Sequence, residues 1–134
     1  MSATNAFETD LLELIFNGTT IADIAENDTT SPATSLYVSL HTANPGETGS
    51  QSTSEATYTS YARVAVIRDN TGWTVSSDTC TNTATVLFPT CTGGTNTITH
   101  FGIGTASSGA GTLLLYGPLT ASLIVSNTIA PVFQ

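Results

Sequence analysis

The chain carries few side chains able to do chemistry: two histidines, two cysteines, two cations and ten carboxylates. Ser39, His41, His100 and Asp69 are the set from which a hydrolase would be assembled, with serine as nucleophile and histidine as its base. Their setting argues against it. No G-x-S-x-G turn lifts a serine out of a strand, and both histidines fall in strand-like segments with no acid positioned beside them. Such histidines are expected to hydrogen-bond structurally, so no catalytic residue is assigned. Cys80 and Cys91 flank one strand-like segment with no histidine at ligand spacing, so no metal site is expected. They read either as two reduced thiols or as a bridge across a short hairpin, according to redox compartment. Gly102-Ile103-Gly104 leads into more sheet rather than a helix and makes no phosphate cradle. The acidic stretch at Asn27-Asp28 lacks the ligand spacing of an EF-hand and reads as solvated. No cofactor is expected.

Lysine is absent, and Arg63 and Arg68 are the only cations in a chain of net charge −8. Nothing is available to neutralise phosphates, which sets aside nucleic acid and anionic membrane surfaces as partners. The two arginines are expected to pair with some of the acids. Arg63 sits in an otherwise apolar segment, so burial against a carboxylate or backbone carbonyls is the favoured reading. The first residues lack the basic and apolar regions of a secretory signal, and no apolar run approaches a membrane span. Synthesis in the cytosol is therefore expected. The sequons at Asn17 and Asn27 carry no weight in that setting.

The elements that position these groups are mostly short strands. Leu36–Gly46 (LYVSLHTANPG) alternates Leu36, Val38 and Leu40 against Tyr37, Ser39 and His41, the pattern of a half-buried strand ended by Asn44-Pro45-Gly46. Tyr61–Arg68 reads as a strand covered on both faces. Trp73–Val75, Thr81–Pro89, Thr97–Thr105, Leu113–Tyr116, Ala121–Val125 and Thr128–Phe133 follow, with Gly117-Pro118 breaking one from the next. Before them, Phe7–Phe16 has helical spacing, acids in its first turn and a stop at Asn17-Gly18. Thr20–Ala25 is a short turn or strand, Glu26–Thr34 a polar loop, and Glu47–Thr57 a polar surface loop. The whole is expected to be mainly β: an antiparallel β-sandwich or barrel with one short N-terminal α-helix. A single domain, 1–134, is expected, with residues 1–34 as helix and polar loop and 35–134 as sandwich.

From Thr79 to Gln134 there is no Asp, Glu, Lys or Arg. A freestanding β-domain scatters charge along its strands to protect the edges. This half is either coated by Thr, Ser and Asn hydroxyls and amides, or it faces other subunits, where charge is depleted.

The order of segments resembles a known group. LYVSLHTANPGETG at Leu36, SYARVAV at Ser60, NTATVLFP at Asn82, THFGI at Thr99 and GTLLLYGPLTA at Gly111 resemble small structural proteins of tailed bacteriophages. These include minor tail, tail-fibre and capsid-decoration proteins. The resemblance spans roughly residues 1–130 and implies a place in the virion, with no ligand site.

Three functions are weighed on this basis. The first is a capsid decoration (cement) protein, a homotrimer bound to the major capsid protein or other virion proteins. The second is a tail accessory or fibre-associated subunit. The third is a carbohydrate-binding sandwich with Tyr37, Tyr58, Tyr61 or Trp73 as stacking platforms. The apolar residues expected at an interface are Phe7, Leu11 and Ile15 on the helix, with Leu113, Leu115, Val132 and Phe133 on the last strands. The default for the helix is to seal its own sandwich.

Overall fold

The computed structural model describes residues 4–21 and 32–134, apart from the side chain of Phe7. The acidic stretch at Asn27-Asp28, expected to be solvated, and most of the Thr20–Ala25 and Glu26–Thr34 segments lie outside the described residues. The chain is mainly β, with antiparallel pairing and one short helix. It gathers into two compact units, one from residues 1–35, 66–85 and Gln134, the other from 36–65 and 86–133.

In the first unit, α1 (Asn5–Leu12) runs into a wider π-helical turn over Glu13–Asn17. Gly18 closes it at φ 68°, a left-handed position that costs glycine little, and its N–H donates to the Glu13 carbonyl. The helix expected over Phe7–Phe16 is thus present, with its last turn loosened. Phe16 is the buried anchor; its ring meets Trp73 at 4.8 Å between centroids. Trp73 opens β3 (Trp73–Ser76), which pairs with β4 (Thr79–Asn82) through the register Trp73 to Asn82 and Ser76 to Thr79. The turn of this hairpin falls at Ser77-Asp78. The strand expected over Thr81–Pro89 is in fact two: β4 ends at Asn82, and β5 (Val86–Leu87) begins after a bend. Arg68 donates to the carbonyls of Leu14 and Ile15 on the π-helical turn and to that of Ala33.

The second unit holds most of a four-stranded sheet. Its strands are β1 (Ser35–His41), β2 (Val64–Ile67), β6 (Asn96–Gly104) and β7 (Leu113–Val125), in the order β2-β1-β6-β7. β1 lies inside that sheet and is buried on both faces from Val38 to His41, so the half-buried reading underestimates it. The reverse holds for β2, which is shorter than expected and leaves Ala65 and Ile67 exposed. β5 pairs with β8 (Val132–Phe133) to form a small ribbon. Phe133 carries that ribbon onto the main sheet, its ring meeting Phe101 of β6 at 6.4 Å and Phe88 at 5.8 Å. Two antiparallel layers joined by inward aromatics form a sandwich.

The largest departure from expectation is β7. The break expected at Gly117-Pro118 does not occur; one 13-residue strand runs through both. Proline is tolerated because β7 is the outermost strand of its sheet, where a missing donor need not cost a ladder bond. The register with β6 slips between Ile98 and His100, and Pro118 stands opposite His100 just beyond that slip.

Candidate interaction surface

Glu55 and Arg63 form the densest polar cluster of the second unit. Arg63 donates from Nε to Glu55 Oε1 at 2.6 Å and from Nη2 to Oε2 at 2.7 Å, a bidentate pair. Its remaining donors reach the carbonyls of Ala106 at 2.8 Å and Gly109 at 2.6 Å, in the turn between β6 and β7. Tyr61 donates its hydroxyl to Glu55 at 2.8 Å and accepts from the Leu40 N–H at 3.1 Å. The Glu55 hydrogen bonds hold the Arg63 pKa above its ordinary value, and burial pushes the Tyr61 phenol upward. With every charge matched at close range, the cluster is built to hold loops rather than to react.

Gln51 extends the same clamp. It is fully buried; its N–H donates to Ala110, and its Oε1 accepts from the Ala106 N–H, each at 2.8 Å. Gly104 makes room for it: a Cβ there would fall 2.2 Å from Gln51 Cδ and 2.5 Å from the Thr112 carbonyl. The segment Glu47–Thr57, expected as a surface loop, therefore drives Gln51, Glu55 and Ala56 inward. Polar composition alone cannot distinguish a solvated loop from one whose polar atoms are satisfied inside. One signal was available for Glu55. Only three acids, Glu47, Glu55 and Asp69, lie between Asp28 and Asp78, and the one eight residues before Arg63 is its partner.

The residues considered for chemistry are structural by position. His41 and Ser39 are fully buried, with His41 Nε2 2.8 Å from the Ser39 hydroxyl and Nδ1 2.8 Å from the Thr53 carbonyl. A carbonyl only accepts, so Nδ1 carries the proton and Nε2 accepts from serine: a neutral ring. Burial lowers the His41 pKa accordingly. His100 pairs with the Thr99 hydroxyl, while Asp69 folds back on Thr71, whose hydroxyl and N–H hold its carboxyl below the usual range. Cys80 and Cys91 are free thiols, and burial pushes Cys80 up to about 11. Among the described residues no group of three metal-ligating side chains converges. Trp73 and Tyr58, two of the aromatic platforms considered for sugar stacking, are buried, and Tyr61 is taken up by Glu55.

The apolar interface set divides. Leu11, Leu115 and Val132 stand exposed, whereas Ile15, Leu113 and Phe133 are half-buried; the Phe7 side chain lies outside the described residues. Leu11 borders a shallow cleft with Leu12, Glu8 and Asp78 in the first unit. Exposed apolar residues that the interface set omitted include Leu87, opposite Val132 on the β5–β8 ribbon, Leu114, Tyr116 and Ile124 on β7, and Ile67 and Ile129.

A mainly β, antiparallel chain with its Arg63–Glu55 pair spent on holding loops and apolar strands uncovered belongs to the class of structural β-proteins. Over residues 2–134 the chain matches, and belongs to, the family described as podophage GP4 fiber I protein gp80, a family of small bacteriophage virion structural proteins. No curated protein matches it.

Proposed function

We propose that the chain is a fibre-associated structural subunit of a podophage tail, working as one of several identical copies and in contact with other virion proteins. The match to a fibre protein family over nearly the whole chain carries this reading, and favours it over capsid decoration. Internal use of Arg63, Glu55, Ser39 and His41 supports it, since it leaves these groups holding the fold and assigns the chain no catalytic step. Uncovered apolar residues on β5, β7 and β8 supply contact area, and such residues anchor protein interfaces. Quantitative mass spectrometry of purified virions tests it. A few copies to a few dozen per particle are expected, and hundreds would return the protein to the head shell.

A further inference from the structure

We infer that the cleft between α1 and the β3–β4 hairpin docks a basic segment of a second virion protein, one that sets lysine or arginine beside a leucine-like side chain. The inference rests on the proposal that the chain works in contact with other virion proteins, and it names the surface and its chemistry. All four residues that line the cleft belong to the first unit: Glu8, Leu11 and Leu12 on α1, and Asp78 at the turn of the hairpin. The Thr9 hydroxyl donates to the Ser77 carbonyl at 2.5 Å, which ties the helix to that turn and holds the two walls together. The cleft measures about 340 Å³, near the lower limit for a small-molecule site. Being shallow, it suits side chains that project from a protein segment.

The lining is half apolar and half acidic. Leu11 is 41% exposed, an apolar side chain that the first unit leaves uncovered. Among the described residues, neither the Glu8 nor the Asp78 carboxylate has a hydrogen bond or an ion pair. Two like charges on one cleft deepen its negative potential, and a cation entering it is drawn by both. The occupant then follows from the supply of cations. The chain has no lysine; Arg63 is bound to Glu55 and two carbonyls, and Arg68 to the carbonyls of Leu14, Ile15 and Ala33. A second copy therefore has no side-chain cation to bring, and it carries the same net charge of −8. Residues 22–31 of the same chain add Asp23, Glu26 and Asp28 and no cation, so charge turns them away as well. Nucleic acid and anionic lipid share that sign. A positively charged protein segment complements the carboxylates, and the two leucines require an apolar side chain beside its charge.

Fluorescence anisotropy on the intact protein tests the docking with a labelled peptide that alternates lysine and leucine. Saturable binding is expected, lost when serine replaces every leucine and weakened as salt rises from about 50 to 500 mM. Glu8→Gln and Asp78→Asn should each weaken binding about two- to fivefold, the range for an exposed ion pair, and Leu11→Gln by a similar factor, all with unchanged circular dichroism. Glu47→Gln removes the same single charge from the second unit and should leave binding unchanged, which separates the cleft from the general pull of an acidic chain. Carbodiimide, which joins carboxylates to amines, should couple the peptide to Glu8 or Asp78, with no lysine of the chain to compete. Equal losses in Glu8→Gln and Glu47→Gln, binding indifferent to Leu11→Gln, crosslinks spread over every exposed acid, or no saturable binding would overturn the proposal. None of these readouts depends on the virion copy number, so the cleft and the fibre assignment fail separately.

Discussion

The two flanks of the main sheet in the second unit are built on opposite rules. On the β1 side, the Glu47–Thr57 segment buries Gln51, Glu55, Ser39 and His41, and their polar atoms are answered by the chain itself. On the β7 side, leucine, isoleucine and tyrosine stand in solvent, and no charged residue accompanies them. Burying polar groups costs free energy unless each finds a partner, and exposing apolar ones forgoes the main folding force. The contrast teaches that burial here follows partner supply rather than polarity. Polar residues go inside where turns and carbonyls can meet them, and apolar residues remain outside where the chain supplies no cover.

The contrast is broken most severely at Arg63. Arg63→Met should cost about 3–5 kcal/mol in urea denaturation, because Glu55 would be left charged and unpaired. Gly104→Ala comes next, with a loss of about 1–3 kcal/mol as the new methyl strikes Gln51 and the Thr112 carbonyl. Adding Gln51→Ala should relieve only part of that loss, since the carbonyl remains; a double-mutant cycle measures the share.

Acid sharpens the same comparison. His41 resists protonation when folded but takes a proton near pH 6.5 when unfolded, so the unfolded state binds more protons below that point. Stability should therefore be level above about pH 6.5 and fall below it, by at most about 1.4 kcal/mol per pH unit from this group. Denaturation at pH 7.5 and 5.5 should show a smaller difference in His41→Gln than in wild type. The smallest effect belongs to the exposed β5–β8 ribbon: Leu87→Thr should shift stability by no more than about 0.5 kcal/mol by thermal melting.

Much of this was legible in the residues. Alternation placed β1, Asn17-Gly18 placed the end of the helical segment, and the isolation of Arg63 among apolar neighbours foretold a buried pair. The misses share one cause: local rules cannot see neighbours in space. Proline at 118 breaks a strand in the interior of a sheet but not on its rim, and rim position is set by which strands pair. The Glu47–Thr57 segment looked solvated because its partners, Ala106, Ala110 and Arg63, are distant in sequence. Of the apolar residues named from hydropathy, Leu115 and Val132 stand exposed, while the sheet turns Leu113 and Phe133 partly inward, a difference that hydropathy alone does not carry.

The Gln51–Arg63 clamp also decides how the protein bears load. A pull on the turn between β6 and β7 is opposed at once by Arg63 holding Ala106 and Gly109, and by Gln51 holding Ala106 and Ala110. Those four bonds stand in parallel, so they must rupture together instead of opening one after another like a zip. Their anchors lie on segments more than forty residues away, so the turn cannot peel without also displacing β1's loop. Tension applied at that corner is shared across the sheet before any single strand gives way.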